Sequence, residues 1–347
     1  MRNLKRALSL AMASIMVLGM MVVGAGAVSY DDFSDKDKIV NDDAVSMLVE
    51  LNVINGKDDG SFDPEGIVTR AEMAKMICVV LNGGKDPSLG NVSNYTYTDT
   101  VGHWAAAYIE YCTTLGIVAG DGTGKFNPSN TVTGAEAAKM LLVALGFKSE
   151  IEGFTGANWA VNVNVRANQK GLFDELSINP SEGLTRDNVA ELVFNALTKA
   201  VPVQYNELLG VYYNENQGII YSLEFNYLQT LGYKNFDLVY KTNENTDYGR
   251  PGTTWGIGSY RMDGNPSGEG NKEGVLNEDG SLIPERVKMT SDDEIITVAD
   301  TPDFTYTANT KENVIYKAVG KSVVDDYTWN VYVDGDEQAD PAIPDND

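Results

Sequence analysis

The sequence predicts a chain that is mainly α-helical in its first half and β-rich in its second. Three observations predict it. A unit repeats along residues 30–200 with apolar residues at helical spacing. Glycine- and aspartate-rich turns separate the two helices of each unit. Beyond about residue 203 the helical stripes fade, and thirteen of the eighteen tyrosines lie from Tyr205 onward, which favours strands.

The chain opens with Arg2, Lys5 and Arg6, an apolar run from Ala7 to Val23, and Ala25-Gly26-Ala27. A basic start, an apolar stretch and an A-x-A site read as a secretory signal peptide over 1–27, so the mature chain is expected to begin at Val28. An uncleaved membrane anchor fits the small-residue site less well. No later stretch is long and apolar enough to cross a membrane.

The first repeat spans 28–90 and the second 91–150. Phe33 and Asp35 match Tyr97 and Asp99, Gly56 matches Gly120, Phe62 and Pro64 match Phe126 and Pro128, and Thr69 and Glu72 match Thr133 and Glu136, all at an offset of 64 residues. A diverged third repeat spans 151–202: Asn158-Trp159-Ala160 matches His103-Trp104-Ala105, and "LTRDNVAELV" matches "VTRAEMAKMI".

Each copy reads as helix, loop, helix. The opening helices carry Val40, Ala44, Val45, Leu48 and Leu51 in the first copy and Trp104, Tyr108, Ile109, Cys112 and Leu115 in the second. In the third, "WAVNVNV" also alternates like a strand. The closing helices repeat one apolar stripe, for example Met73, Met76, Ile77, Val80 and Leu81. Thr69, Thr133 and Thr185 are their caps; Glu72 and Glu136 complete capping boxes, and Asn188 makes the third weaker. One helix pair cannot bury such a stripe, so the three copies are expected to pack together. The loops "GKDDGSFDP" and "GDGTGKFNP" lack the spacing of a calcium loop, and turn chemistry explains them.

Residues 203–334 read as a β-rich module and 335–347 as an acidic disordered tail. "GIIYSLEF", "NVIYKAV" and "YTWNVYVDG" look like short strands, with a long polar loop around Asn265–Asn271. Segment 231–255 is similar to the region that follows such repeats in some clostridial-type surface proteins, without an activity to transfer.

The net charge is −24, and removing a leader with three basic and no acidic residues makes it −27. Such a chain repels nucleic acid and anionic lipid, so no nucleic-acid partner is expected, and no membrane partner after leader cleavage. Cys78 and Cys112 read as buried small apolar residues. The single histidine, His103, lies in the repeats. The second half therefore has no Ser-His-Asp triad, thiol nucleophile or histidine-bearing zinc site. We expect no enzyme, no catalytic residues, no cofactor and no metal.

The Phe-x-Asp opening, the Trp-Ala of the first helix, "GIVAGDGTGKFNP" and "TRAE" at Thr69–Glu72 resemble the S-layer homology domain, and the resemblance covers about residues 30–200 in three copies. It implies a pseudo-threefold, three-pronged spindle around a helix bundle. It also implies non-covalent attachment to an anionic secondary cell wall polymer, often pyruvylated, or to associated peptidoglycan, in grooves between repeats gripped by the motif arginine. Self-assembly among copies is a further option. On this basis the site residues are Arg70 and Arg186, with Trp104, Trp159, Lys57 and Lys125 beside them. The sequence departs from the pattern at Gly134, where arginine is expected, and at Val40, where tryptophan is expected. Core packing is the main role expected for both tryptophans.

Arg70 sits at the first position of a helix, where a cation costs about 0.3–1 kcal/mol. Free N–H groups at such an end attract anions, which suits an arginine waiting for a carboxylate. The plain alternative is a solvated arginine or one paired with Glu72 or Asp63. On the functional reading, Arg70→Ala and Arg186→Ala should each lose about 1.5–3 kcal/mol of binding without loss of stability, and arginine at position 134 could add a third grip. The expected function is that of a secreted surface protein anchored to the cell wall and displaying a β-rich module. The alternatives are an anchored adhesin or carbohydrate-binding protein and, further off, a carbohydrate-active enzyme.

Overall fold

The computed structural model of the chain describes residues 29–214, 218–219, 230–245, 251–257, 259–260, 287–288, 294–299, 314, 317, 332–333 and 336–337. The leader over 1–27 and the polar loop at Asn265–Asn271 lie outside the described residues. The rest divides into two compact units, one reaching Val239 and one beginning at Tyr240.

The first unit is helical. The opening helices are α1 (Asp42–Glu50), α3 (Ala106–Thr114) and α6 (Trp159–Gln169). The closing helices are α2 (Arg70–Leu81), α4 (Gly134–Ala144) and α7 (Arg186–Thr198). A short helix, α5 (Ser149–Glu152), precedes α6. The run "WAVNVNV" is helical: Val163 and Ala167 are fully buried, while Val161 and Val165 face outward.

Helix starts follow the caps. Thr69 accepts from the Glu72 amide at 3.2 Å, and Glu72 returns a bond to the Thr69 amide at 2.7 Å. Thr133 and Glu136 do the same. Thr185 accepts from the Asn188 amide at 3.2 Å, and no bond returns. In the loops, Asp35 accepts from the amides of Phe62 and Asp63, and Asp99 from those of Phe126 and Asn127. The rings Phe33–Phe62 and Tyr97–Phe126 meet at 5.5 Å in both copies. The repeated Phe-x-Asp thus buries a ring and satisfies two loop amides that would otherwise be costly.

The three copies close into a ring. The closing helix of each packs on the opening helix of the next: α2 on α3, α4 on α6, and α7 on α1. At the centre, the Val68 amide donates to Leu184 O, Leu184 to Val132 O, and Val132 to Val68 O, at 2.9–3.0 Å. These three residues are buried. Each unit lacks a core of its own and completes one through its neighbours.

Two residues expected on buried helical faces lie outside them. Val40 is 80% exposed because α1 starts only at Asp42, and Leu115 is exposed because α3 ends at Thr114.

The first unit extends past the expected break at residue 203. Strands β1 (Gln204–Asn206), β2 (Val211–Asn214) and β3 (Gly218–Ile219) form an antiparallel sheet. The Tyr212 ring lies 5.2 Å from Phe147, and its hydroxyl accepts from the Lys148 amide. Gly146 has φ +102°, and a Cβ there would overlap Val203 O. A further helix, α8 (Leu231–Phe236), packs on α7. Leu231, Phe236, Leu238 and Val239 are buried, and Asn235 Nδ2 donates to Val80 O at 3.0 Å. This cover explains why α7 is buried almost all round.

The second unit is β-rich. Strands β4 (Leu238–Asn245, whose first two residues belong to the first unit), β5 (Pro251–Ile257) and β8 (Glu294–Ala299) make a three-stranded sheet. Ser259–Tyr260 pairs with Val287–Lys288 as β6 and β7. Trp255 is buried against Tyr240, with ring centres 4.9 Å apart. Of "NVIYKAV" only Val314 and Lys317 are described; both are helical and exposed, unlike a half-buried strand. Tyr332–Val333 (β9) pairs antiparallel with Asp336–Glu337 (β10), so the acidic tail begins with a short strand.

Candidate functional site

The site is built where one repeat reaches into the next. At the start of α2, the Arg70 amide donates to Asn130 O and the Ala71 amide to Pro128 O, at 2.9 and 3.0 Å. At α7, the Arg186 and Asp187 amides donate to Gly66 O and Pro64 O, at 2.7 and 3.1 Å. At α4, Gly134 and Ala135 donate to Glu182 O and Pro180 O. These helix-end amides are therefore committed to carbonyls of the neighbouring repeat. They are not the free anion-seeking groups that the sequence suggests.

The arginines are committed too. Arg70 donates from Nε to Phe126 O at 3.0 Å, from Nη2 to Ala119 O at 3.0 Å, and from Nη1 to Glu136 at 2.5 Å. Its guanidinium lies 4.5 Å from the centre of the Phe126 ring. Its acid is Glu136 of the second repeat, not Glu72 or Asp63. Arg186 repeats the pattern with Phe62 O at 2.8 Å, Asn55 O at 2.8 Å and the Phe62 ring at 4.8 Å. Burial lowers its pKa, opposed by the charges of Glu72, Asp63 and Asp35. Each arginine thus spans a seam between repeats, which offsets the unfavourable helix-end position and makes stability depend on it. Among the described residues, three of the five N–H groups of Arg70 are bonded, which leaves two without a protein acceptor.

Beside Arg70 lies a cavity of about 490 Å³, lined by the second repeat's loop, by Glu136 and Lys139 of α4, and by Phe154 and Trp159 of the third repeat. Lys139 stands 5.6 Å from the centre of the Trp159 ring. Among the described residues no ion pair engages it. Burial lowers the Lys139 pKa, as does the positive charge of Arg70, while Glu136 and Glu150 raise it. A half-desolvated ammonium over an indole face, next to a guanidinium with spare donors, is suited to an anionic group on a ring-shaped ligand.

The structure separates the other candidates. Trp159 lines the cavity and is half-exposed, so core packing is not its role. Trp104 is also half-exposed, beside His103 and Tyr108. Lys57 pairs with Asp63 inside its own loop. Lys125 is exposed and does not line the cavity. Lys139 was not among the sequence candidates, although the lysine of "AKM" recurs three residues after each of the first two motif glutamates and could have pointed to it.

The third seam, where α4 meets the third repeat's loop, keeps the backbone exchange but lacks the side chains that line the Arg70 groove. Gly134 replaces the arginine, Val40 replaces the tryptophan, and Glu191 replaces the lysine. A Cβ at Gly134 would lie 2.9 Å from Pro180 Cα, so this seam has no room for the arginine that the sequence suggested adding. Glu191 is 6% exposed, and burial pushes its pKa up to about 7.

Residues 30–74 and 96–138 match the family profile described as the S-layer homology domain. These two segments are S-layer homology domains. A "Cell surface protein" of Thermoanaerobacter kivui is 29% identical over 199 residues, covering 57% of this chain and 25% of the relative. "S-layer protein sap" of Bacillus anthracis is 28% identical over 151 residues, 43% of this chain and 18% of the relative. "Exoglucanase XynX" of Acetivibrio thermocellus is 27% identical over 188 residues, 50% of this chain and 17% of the relative. The chain spans a quarter or less of the length of these relatives. The S-layer homology domains and the surface-protein names together support a place at the cell wall or cell surface.

Proposed function

We propose that the first unit is a non-covalent anchor that holds a secondary cell wall polymer, and that the second unit is the module it displays. The observation that carries this reading is the cavity in which Lys139, an ammonium without an ion-pair partner among the described residues, faces the Trp159 ring beside Arg70. The ligand group is anionic, with pyruvate on an amino sugar as the form the domain resemblance suggests. The carboxylate would meet Lys139 and the spare N–H groups of Arg70, and a sugar face would lie on the indole.

The proposed role is binding without catalysis. The one histidine is committed locally: His103 Nδ1 accepts from the Ala105 amide at 3.1 Å, and burial lowers its pKa. In the second unit Trp255 is buried in its sheet and offers no face for a sugar.

The test is co-sedimentation with purified sacculi before and after the wall polymer is stripped. Wild-type protein should bind only unstripped sacculi. Lys139→Ala and Trp159→Ala should lower retention about tenfold or more, with melting unchanged, in line with loss of a charged partner. Equal retention on stripped sacculi would overturn the reading. A glycan array with residues 240–347 separates display from adhesion.

A further inference from the structure

The three seams offer three versions of one groove, and one of them carries its own carboxylate. Lys75 is the counterpart of Lys139 at the repeat offset, as Glu72 is of Glu136 and Phe62 of Phe126. Lys139 makes no ion pair among the described residues, and Lys75 makes one. Its Nζ lies 3.0 Å from Asp86 Oδ2, and the Lys75 side chain is only 16% exposed. The Tyr108 hydroxyl donates to Asp86 Oδ1 at 2.6 Å, and Lys75 stands 5.6 Å from the centre of the Tyr108 ring. Asp86 belongs to the linker that leaves α2. Each of its carboxylate oxygens is therefore held, one by an ammonium and one by a phenol, beside an aromatic face.

An ammonium beside an aromatic ring is also what Lys139 would offer an external carboxylate, with the Arg70 guanidinium in place of the phenol. The acid at the matching position after the second repeat is Glu150, which the short helix α5 carries; it acts on Lys139 through space and forms no ion pair with it. The third seam has Glu191 in place of the lysine.

We infer that Asp86 acts as an internal ligand that occupies the first groove, so that the chain engages its anionic polymer through the Lys139 groove alone. This rests on the anchor reading above and adds to it which groove works and which residue decides. Asp86 selects the groove by neutralising Lys75. An external anion there must displace a carboxylate tethered to the same chain, whose effective concentration is high.

The experiment measures retention of the full chain on intact sacculi, with thermal melting as the folding control. Lys139→Ala should lose retention about tenfold or more. Asp86→Asn added to Lys139→Ala should restore most of it by freeing Lys75. Lys75→Ala added to that pair should remove it again. Wild-type-like retention by Lys139→Ala, or no recovery in the folded D86N/K139A protein, would overturn the inference while wild-type binding keeps the anchor reading standing. Absence of wild-type binding to sacculi would overturn both.

Discussion

The seam between the first two repeats and the seam between the second and third are held by the same backbone exchange but differ in what fills them. In both, the first two amides of a closing helix donate to carbonyls of the next repeat. At the first, Arg70 adds three side-chain hydrogen bonds and a ring contact. At the other, Gly134 closes directly against Pro180 with no side chain. The backbone exchange is therefore sufficient to close the ring. An arginine at this position is not a requirement of the fold, and its place beside an open cavity supports the anchor reading proposed above.

The largest test of this comparison removes what supports the third repeat. Truncation after residue 203 strips α8 from α7 and removes the buried Leu231, Phe236, Leu238 and Val239. Burial of four such side chains contributes on the order of 6 kcal/mol. The first unit should lose its cooperative melting, whereas truncation after Asn245 should keep it. Intact melting of the shorter form would show that residues 204–239 are dispensable.

Gly134→Arg should be the most damaging point change. Its Cβ meets Pro180 backbone, and the seam must open to admit a long side chain. A loss of about 3 kcal/mol or more by denaturant unfolding is expected, without any gain in sacculus binding. A stable variant would mean that the third seam can yield.

Arg70→Ala sharpens the contrast from the other side. It leaves Glu136 and two loop carbonyls without their donor, so stability should fall by about 2–3 kcal/mol. Sacculus binding should fall with it. Stability and binding move together here, so Lys139→Ala, which breaks no ion pair among the described residues, is the better probe of the proposed ligand.

The acidic third seam predicts a pH dependence. Glu191 is raised to about 7 by burial, with Glu175, Asp43 and Asp187 raising it further and Lys199 lowering it. Asp43 is itself raised to about 6, by burial and by Asp42. A raised carboxyl means the folded state holds a proton that the unfolded state releases. Stability should therefore fall as pH rises from the ordinary carboxylate range to about 7, then level off. Glu191→Gln should flatten that slope and stabilise the protein at pH 8 by about 1–3 kcal/mol, as read by melting across pH. A slope unchanged by the substitution would assign it elsewhere.

The smallest effect concerns Cys78 and Cys112, both buried and free, with sulfurs 3.5 Å apart on α2 and α3. Neither should react with a thiol reagent until the unit unfolds, when both should. Reaction in the folded state would show that the α2–α3 contact opens.

The sequence alone determined the repeat, the helix starts and most of the buried stripes. Those depend on residues three or four apart: Thr69 with Glu72, or Met73 with Ile77. Only the tertiary structure decided what the arginines hold, where the first unit ends, and which lysine stays open. Arg70 meets Glu136 across 66 residues, Asn235 reaches Val80 across 155, and Asp86 meets Tyr108 from the linker that follows α2. Local periodicity encodes which face of a helix is buried. It carries no information about which neighbour's carbonyl or carboxylate will arrive there, because that depends on how the ring closes.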